Sequence, residues 1–152
     1  MTVDLLELAI ELARRDPGRP KSVSLRRAVS TTYYALFHAL ASLCADQLVG
    51  ASKSWAAYTR IYRAIDHGQA RKTLIALQQV TGTGAALISF ATAFNALQEA
   101  RLRADYDPRR FPHNRKDVFG LIDVASKAIE ALDLLTSESK LDLAVQLITK
   151  PR

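Results

Sequence analysis

Ser22-Val-Ser-Leu-Arg-Arg-Ala-Val-Ser-Thr-Thr-Tyr-Tyr-Ala-Leu-Phe-His-Ala-Leu-Ala-Ser-Leu-Cys-Ala-Asp-Gln-Leu48 is the stretch on which the fold turns. It runs to Gly50 without a breaker, and Ser22 or Ser24 can cap its start. Its apolar residues lie on nearly every side rather than along one stripe. A helix of that kind belongs in the middle of a bundle, with other helices around it. The composition agrees. Ala and Leu fill 45 of the 152 positions, while Gly and Pro together fill 11, and these are the best and worst helix formers. At roughly 100–200 residues per domain, the chain is a single all-α domain over residues 1–152.

Outward from this helix, residues 3–15 place Leu5, Leu8, Ala9 and Leu12 at helical spacing, with Asp4, Glu7 and Glu11 opposite. Asp16-Pro17-Gly18 and Pro20 stop that helix. Beyond Gly50, Ser52 or Ser54 opens a helix from Trp55 to Asp66, which His67-Gly68 breaks before a further short helix from Gln69 to Val80. Thr81-Gly-Thr-Gly84 is a loop. A long helix spans 85–105 and stops at Asp107-Pro108. Another spans 115–135, with Val118, Leu121, Ile122, Ala125, Ile129 and Leu132 inside, and Ser137 caps a last one through Ile148. The expectation is an up-and-down bundle of four to five helices with one broken middle helix.

Several function classes drop out. The 49% hydrophobic and 24% charged shares are those of an ordinary globular protein. No stretch approaches the roughly 18 apolar residues of a membrane span, and Met1-Thr2-Val3-Asp4 lacks the basic region of a signal peptide. No membrane partner and a cytoplasmic location are therefore expected. The single cysteine, Cys44, reads as a small buried hydrophobe. One Cys and three scattered His give no metal site, the Thr81–Gly84 loop lacks the Lys of a phosphate-binding loop, and no cofactor is implied.

The charge is +6, from 21 Lys and Arg against 15 Asp and Glu, which permits a polyanionic partner. Twelve of those 21 cations fall in residues 14–27 and 101–116, inter-helix loops that an up-down bundle brings to one end. The second segment interleaves Tyr106, Phe111 and His113, which can stack on bases. Arg27, Arg101, Asp105, Arg109, Arg110, Arg115 and Lys116 are the candidate nucleic-acid or nucleotide contacts. The alternative is a solvated surface whose arginines serve helix C-termini and nearby Asp residues. On the central helix Arg27, Thr31, Tyr34 and His38 are spaced by four, three and four and form one polar stripe. That stripe suits phosphate binding or proton relay, or else holds core groups hydrogen-bonded to a neighbouring helix.

The run Leu25-Arg-Arg-Ala-Val-Ser-Thr-Thr-Tyr-Tyr-Ala-Leu-Phe-His-Ala-Leu40, followed by Arg101-Leu-Arg-Ala-Asp-Tyr-Asp107, resembles the HEPN superfamily. Its closest likeness is to a branch with an Arg-Ala-Val-Ser…Tyr-Tyr-Ala…Phe-His helix and a later Arg…Ala-Asp-Tyr motif, and it covers roughly residues 20–135. The resemblance implies a small helical bundle, commonly a homodimer, related both to toxin-antitoxin ribonucleases and to nucleotide-binding modules that partner nucleotidyltransferases. Active ribonuclease members carry an Arg, four to six residues, then a His, lining the dimer cleft. By position the Arg is Arg101, and the slot after four intervening residues holds Tyr106. A tyrosine of ordinary pKa is a poor proton acceptor near neutrality.

The reading that follows is a HEPN-like module that binds a nucleotide or RNA, or pairs with a nucleotidyltransferase-type partner, without catalysis of its own. The alternatives are a metal-independent endoribonuclease using Arg101, Tyr106 and His113, and a plain helical dimerisation domain. His67 follows Arg60 after six intervening residues, matching the Arg–His spacing, but 14 arginines make such a match expected by chance and it sits on a different helix from the motif.

Overall fold

The computed structural model describes residues 1–50 and 54–149. They form seven helices: α1 (Thr2–Arg14), α2 (Ser22–Leu48), α3 (Trp55–Ala64), α4 (His67–Gln78), α5 (Ala85–Tyr106), α6 (Arg115–Asp133) and α7 (Ser137–Ile148). No strand occurs among the described residues, so the all-α expectation holds. All seven helical segments read from the sequence are present, a count that exceeds the four to five helices of the expected bundle.

As its all-round apolar pattern requires, α2 is the hub, packing against α1, α3, α5, α6 and α7. Around it lie two cores. The larger joins Tyr33, Leu36, Leu40 and Cys44 of α2 to Leu74 of α4, Phe90, Phe94 and Leu97 of α5, Leu132 of α6 and Leu143 of α7. The smaller is rich in alanine. Ala9 and Ala13 of α1 meet Ala28 of α2 and Ala100 and Ala104 of α5, with Phe111, Val118 and Ile122 closing it. Small side chains let helix axes approach closely, and long polar residues are left at the rim of that end.

Helix boundaries differ from the expectation in three places, the starts of α2, α4 and α7, while the start of α3 agrees with it. Lys21, not Ser22 or Ser24, is the residue before α2, and no side chain caps that helix. Instead the Asp16 carboxylate accepts the Lys21 N–H at 2.9 Å and fixes the entering chain, beside a turn in which Gly18 adopts φ +68°, a conformation suited to glycine. Ser54 caps α3 by accepting from Ala57 N–H, while Ser52 lies outside the described residues. The α3–α4 break falls at Ile65-Asp66, because Asp66 accepts the Gln69 N–H and makes His67 the first residue of α4. At α7 the cap is Thr136, not Ser137. A reciprocal Asn114–Asp117 capping box opens α6.

Candidate functional site

The two basic segments do meet at one end, and two of their arginines hold it together. The Arg26 guanidinium donates to the carbonyls of Arg103 (3.1 Å), Ala104 (3.0 Å), Asp107 (2.8 Å) and Arg109 (2.6 Å). It satisfies the orphan acceptors at the α5 C-terminus, where a cation is also favoured by the helix dipole, and its charge lies over the Phe111 ring. Arg115 does the same for α1, donating to Ala13 O at 2.9 Å and to Asp16 O. Arg115, expected among the ligand contacts, is therefore a clamp between α6 and the end of α1. Arg109 is exposed but paired with Asp107 through Nε at 2.9 Å and Nη2 at 2.7 Å. Those hydrogen bonds pull the Asp107 carboxyl down to about 2. Arg110 and Lys116 are exposed and form no ion pair among the described residues.

On the other side of the α5 end lies an open cleft of about 710 Å³ between α1, α2 and α5. Leu8, Leu12 and Arg15 come from α1 and its end, Arg27, Ser30, Thr31 and Tyr34 from α2, and Arg101, Asp105 and Tyr106 from α5. Three members of the α2 stripe thus share one wall, as their spacing dictates. At the cleft floor Arg101 Nε meets Asp105 Oδ2 at 3.0 Å and Arg101 Nη2 donates to the Tyr34 hydroxyl at 3.0 Å. Asp105 Oδ1 accepts from Ser30 Oγ at 2.6 Å. The Arg101 guanidinium also lies 5.4–5.7 Å from the ring centres of Tyr34, Tyr33 and Tyr106. With its side chain only 12% exposed, Arg101 is oriented before any ligand arrives. No ion pair engages Arg15 or Arg27 among the described residues. Three guanidiniums face one carboxylate in this cleft, and the excess is cationic.

The remaining candidates lie apart from this cleft. His38, fourth in the stripe, turns to α3, where its Nδ1 and the Tyr62 hydroxyl share a 2.5 Å hydrogen bond. His113 lines a second concavity of about 1140 Å³ beyond Tyr106, along with Arg26, Arg109, Arg110 and Phe111. Asp105 and Tyr106 border both spaces. The structure thus brings Arg27, Thr31, Tyr34, Arg101, Asp105 and Tyr106 together, and leaves His38, His113, Arg109, Arg110, Arg115 and Lys116 outside.

Sequence reasoning set aside His67, and Arg15 went unremarked as a site residue. His67 lies behind the cleft wall, its Nδ1 sharing a 2.7 Å hydrogen bond with Tyr33 OH and its ring stacked 3.9 Å from Phe37. Burial first, and then the positive charge of Arg101, lower its pKa below the ordinary histidine value. No linear spacing signals this placement, because the two residues reach it from α4 and α5. Comparison of the chain with protein-family models, curated proteins and solved structures finds no match.

Proposed function

We propose that the chain is a HEPN-like module that binds an RNA or a nucleotide by its phosphate in the α1–α2–α5 cleft, without chemistry of its own. The observation that carries this reading is the cleft's charge. Arg101 is fixed by Asp105 and Tyr34, while Arg15 and Arg27 stand beside it and form no ion pair among the described residues. Fixed guanidinium donors suit phosphate oxygens, and the ring of Tyr106, 70% exposed, offers a base a stacking face. In this reading the module acts as a homodimer or beside a nucleotidyltransferase-type partner, as the HEPN likeness implies.

The test is a titration of labelled single-stranded RNA and of AMP and ATP at rising salt. Affinity should fall with salt, and Arg27→Ala should reduce the slope by about 0.7, the share of one phosphate contact on a single strand. An affinity indifferent to salt and to Arg27→Ala would sink the reading. A second reading, RNA cleavage, draws on His67 near Arg101, since a histidine held neutral can accept a proton and Arg101 can offset developing phosphorane charge. Against it, His67 Nδ1 is engaged by Tyr33 and its ring is covered by Phe37. Incubation with transfer RNA distinguishes the two. Cleavage abolished by both Arg101→Ala and His67→Gln supports catalysis, and intact RNA leaves binding.

A further inference from the structure

The floor of the cleft is one end of a longer row of rings. From Tyr34 the next ring along α2 is His38, 6.4 Å away. His38 faces Tyr62 of α3 at 5.7 Å, and Tyr62 is followed by Tyr58 at 6.3 Å. The row ends at Trp55, whose ring lies 5.2 Å from Tyr58 at an interplanar angle of 6°. Each step joins side chains of neighbouring helical turns or facing helices, so the line is continuous.

Packing alone does not account for its outer end. No side chain of α3 is fully buried, and Trp55 is 73% exposed, with one face against Tyr58 and the rest open. A large ring left in water at the end of a half-buried row that leads to a cationic cleft suits a partner that has π-faces and phosphates together. The charge along the row agrees. Arg15, Arg27 and Arg101 stand at its inner end, and on α3 the exposed Arg63 follows Tyr62, about 100° around the helix from it. The carboxylate that touches the outer half, Asp46, is held by the Tyr58 hydroxyl at 3.0 Å.

We infer that this row is a platform for a single-stranded RNA, its bases laid along the rings and its phosphate anchored in the arginine cleft. The inference rests on the phosphate-binding reading of that cleft and extends it from a nucleotide to a strand. From Arg27 to Asp46 the track follows α2 for about 28 Å at 1.5 Å per residue. At the 3.4 Å per nucleotide of a stacked strand, that accommodates about eight nucleotides. A duplex hides its base faces and does not suit such a surface.

Trp55 is the chain's single tryptophan and so reports on its own end of the row. The experiment titrates the protein with oligoadenylates of two, four, eight and twelve nucleotides and with an eight-base-pair duplex. It follows Trp55 fluorescence and, separately, the anisotropy of labelled RNA. Affinity should rise to about eight nucleotides and then level off, the octamer but not the dinucleotide should quench Trp55, and the duplex should bind more weakly. Trp55→Ala should lower octamer affinity about tenfold, the contribution of one stacked base, while leaving the dinucleotide unaffected, and Trp55→Phe should restore most of it. An exposed side chain makes these variants safe for folding. If dinucleotide and octamer bind equally and Trp55 stays unquenched, or if octamer affinity ignores Trp55→Ala, the platform is overturned and the cleft reading stands. If neither oligonucleotide binds, both fall.

Discussion

Arg26 and Arg27 follow one another on α2, about 100° apart around the helix, so they cannot face the same surroundings. One is turned to the carbonyls that end α5, the other to the cleft. Removing Arg26 leaves several helix-end acceptors without their charged donor, so Arg26→Ala should cost about 2–3 kcal/mol in urea unfolding. Arg27→Ala should move stability by no more than about 0.5 kcal/mol, since it breaks no ion pair. Equal losses from the two would contradict this division. Only part of this division is legible in the amino-acid sequence. Spacing along α2 nominates Arg27 and Tyr34, while Arg101 and Asp105 are nominated by the basic segment and the Arg…Ala-Asp-Tyr motif in which they stand. Which cations are occupied by backbone, as with Arg26 and Arg115, depends on helix ends that meet from distant parts of the chain. Charge density is readable along a chain, whereas charge availability requires the fold.

At the scale of the helix, α2 was the most readable part, because a pattern apolar on all sides has few places to go. Leu36 sits at its centre with no exposed surface, and Leu36→Ala should destabilise by about 2–5 kcal/mol through lost burial and a residual cavity. The ends of helices were less readable. Where two hydroxyl residues adjoin, as Thr136 and Ser137 do, composition allows either to cap and backbone geometry decides. The α3–α4 junction illustrates the same limit, since a Gly near the break drew attention from Asp66, whose side chain sets it. Asp66→Ala should cost about 1 kcal/mol in thermal unfolding, with local loss of helicity at α4, and a melting temperature identical to the parent would count against that role.

For the whole molecule, acid should weaken the fold in two stages. His38 and His67 both titrate below the ordinary value of 6.5 because burial disfavours their charged forms, with Arg101 adding to the effect on His67. The unfolded chain therefore binds more protons below about pH 6.5, and stability present above that point is lost as pH falls through the folded-state values. Asp107 acts lower down, its contribution present above 3.8 and lost toward about 2. Urea midpoints should be flat from pH 8 to 7 and decline by pH 5, and a constant midpoint across that range would contradict the burial of the two histidines. Both cores depend on α2, so the molecule is expected to open as one unit. Cys44 lies in the middle of that helix with no exposed surface, and burial pushes its thiol up to about 12. A thiol reagent can reach it only when the larger core parts. Alkylation should be negligible in native buffer and should rise with urea in step with the unfolded population. The chain's lone sulfhydryl is thus a built-in clock for core opening, and a bound ligand should slow it.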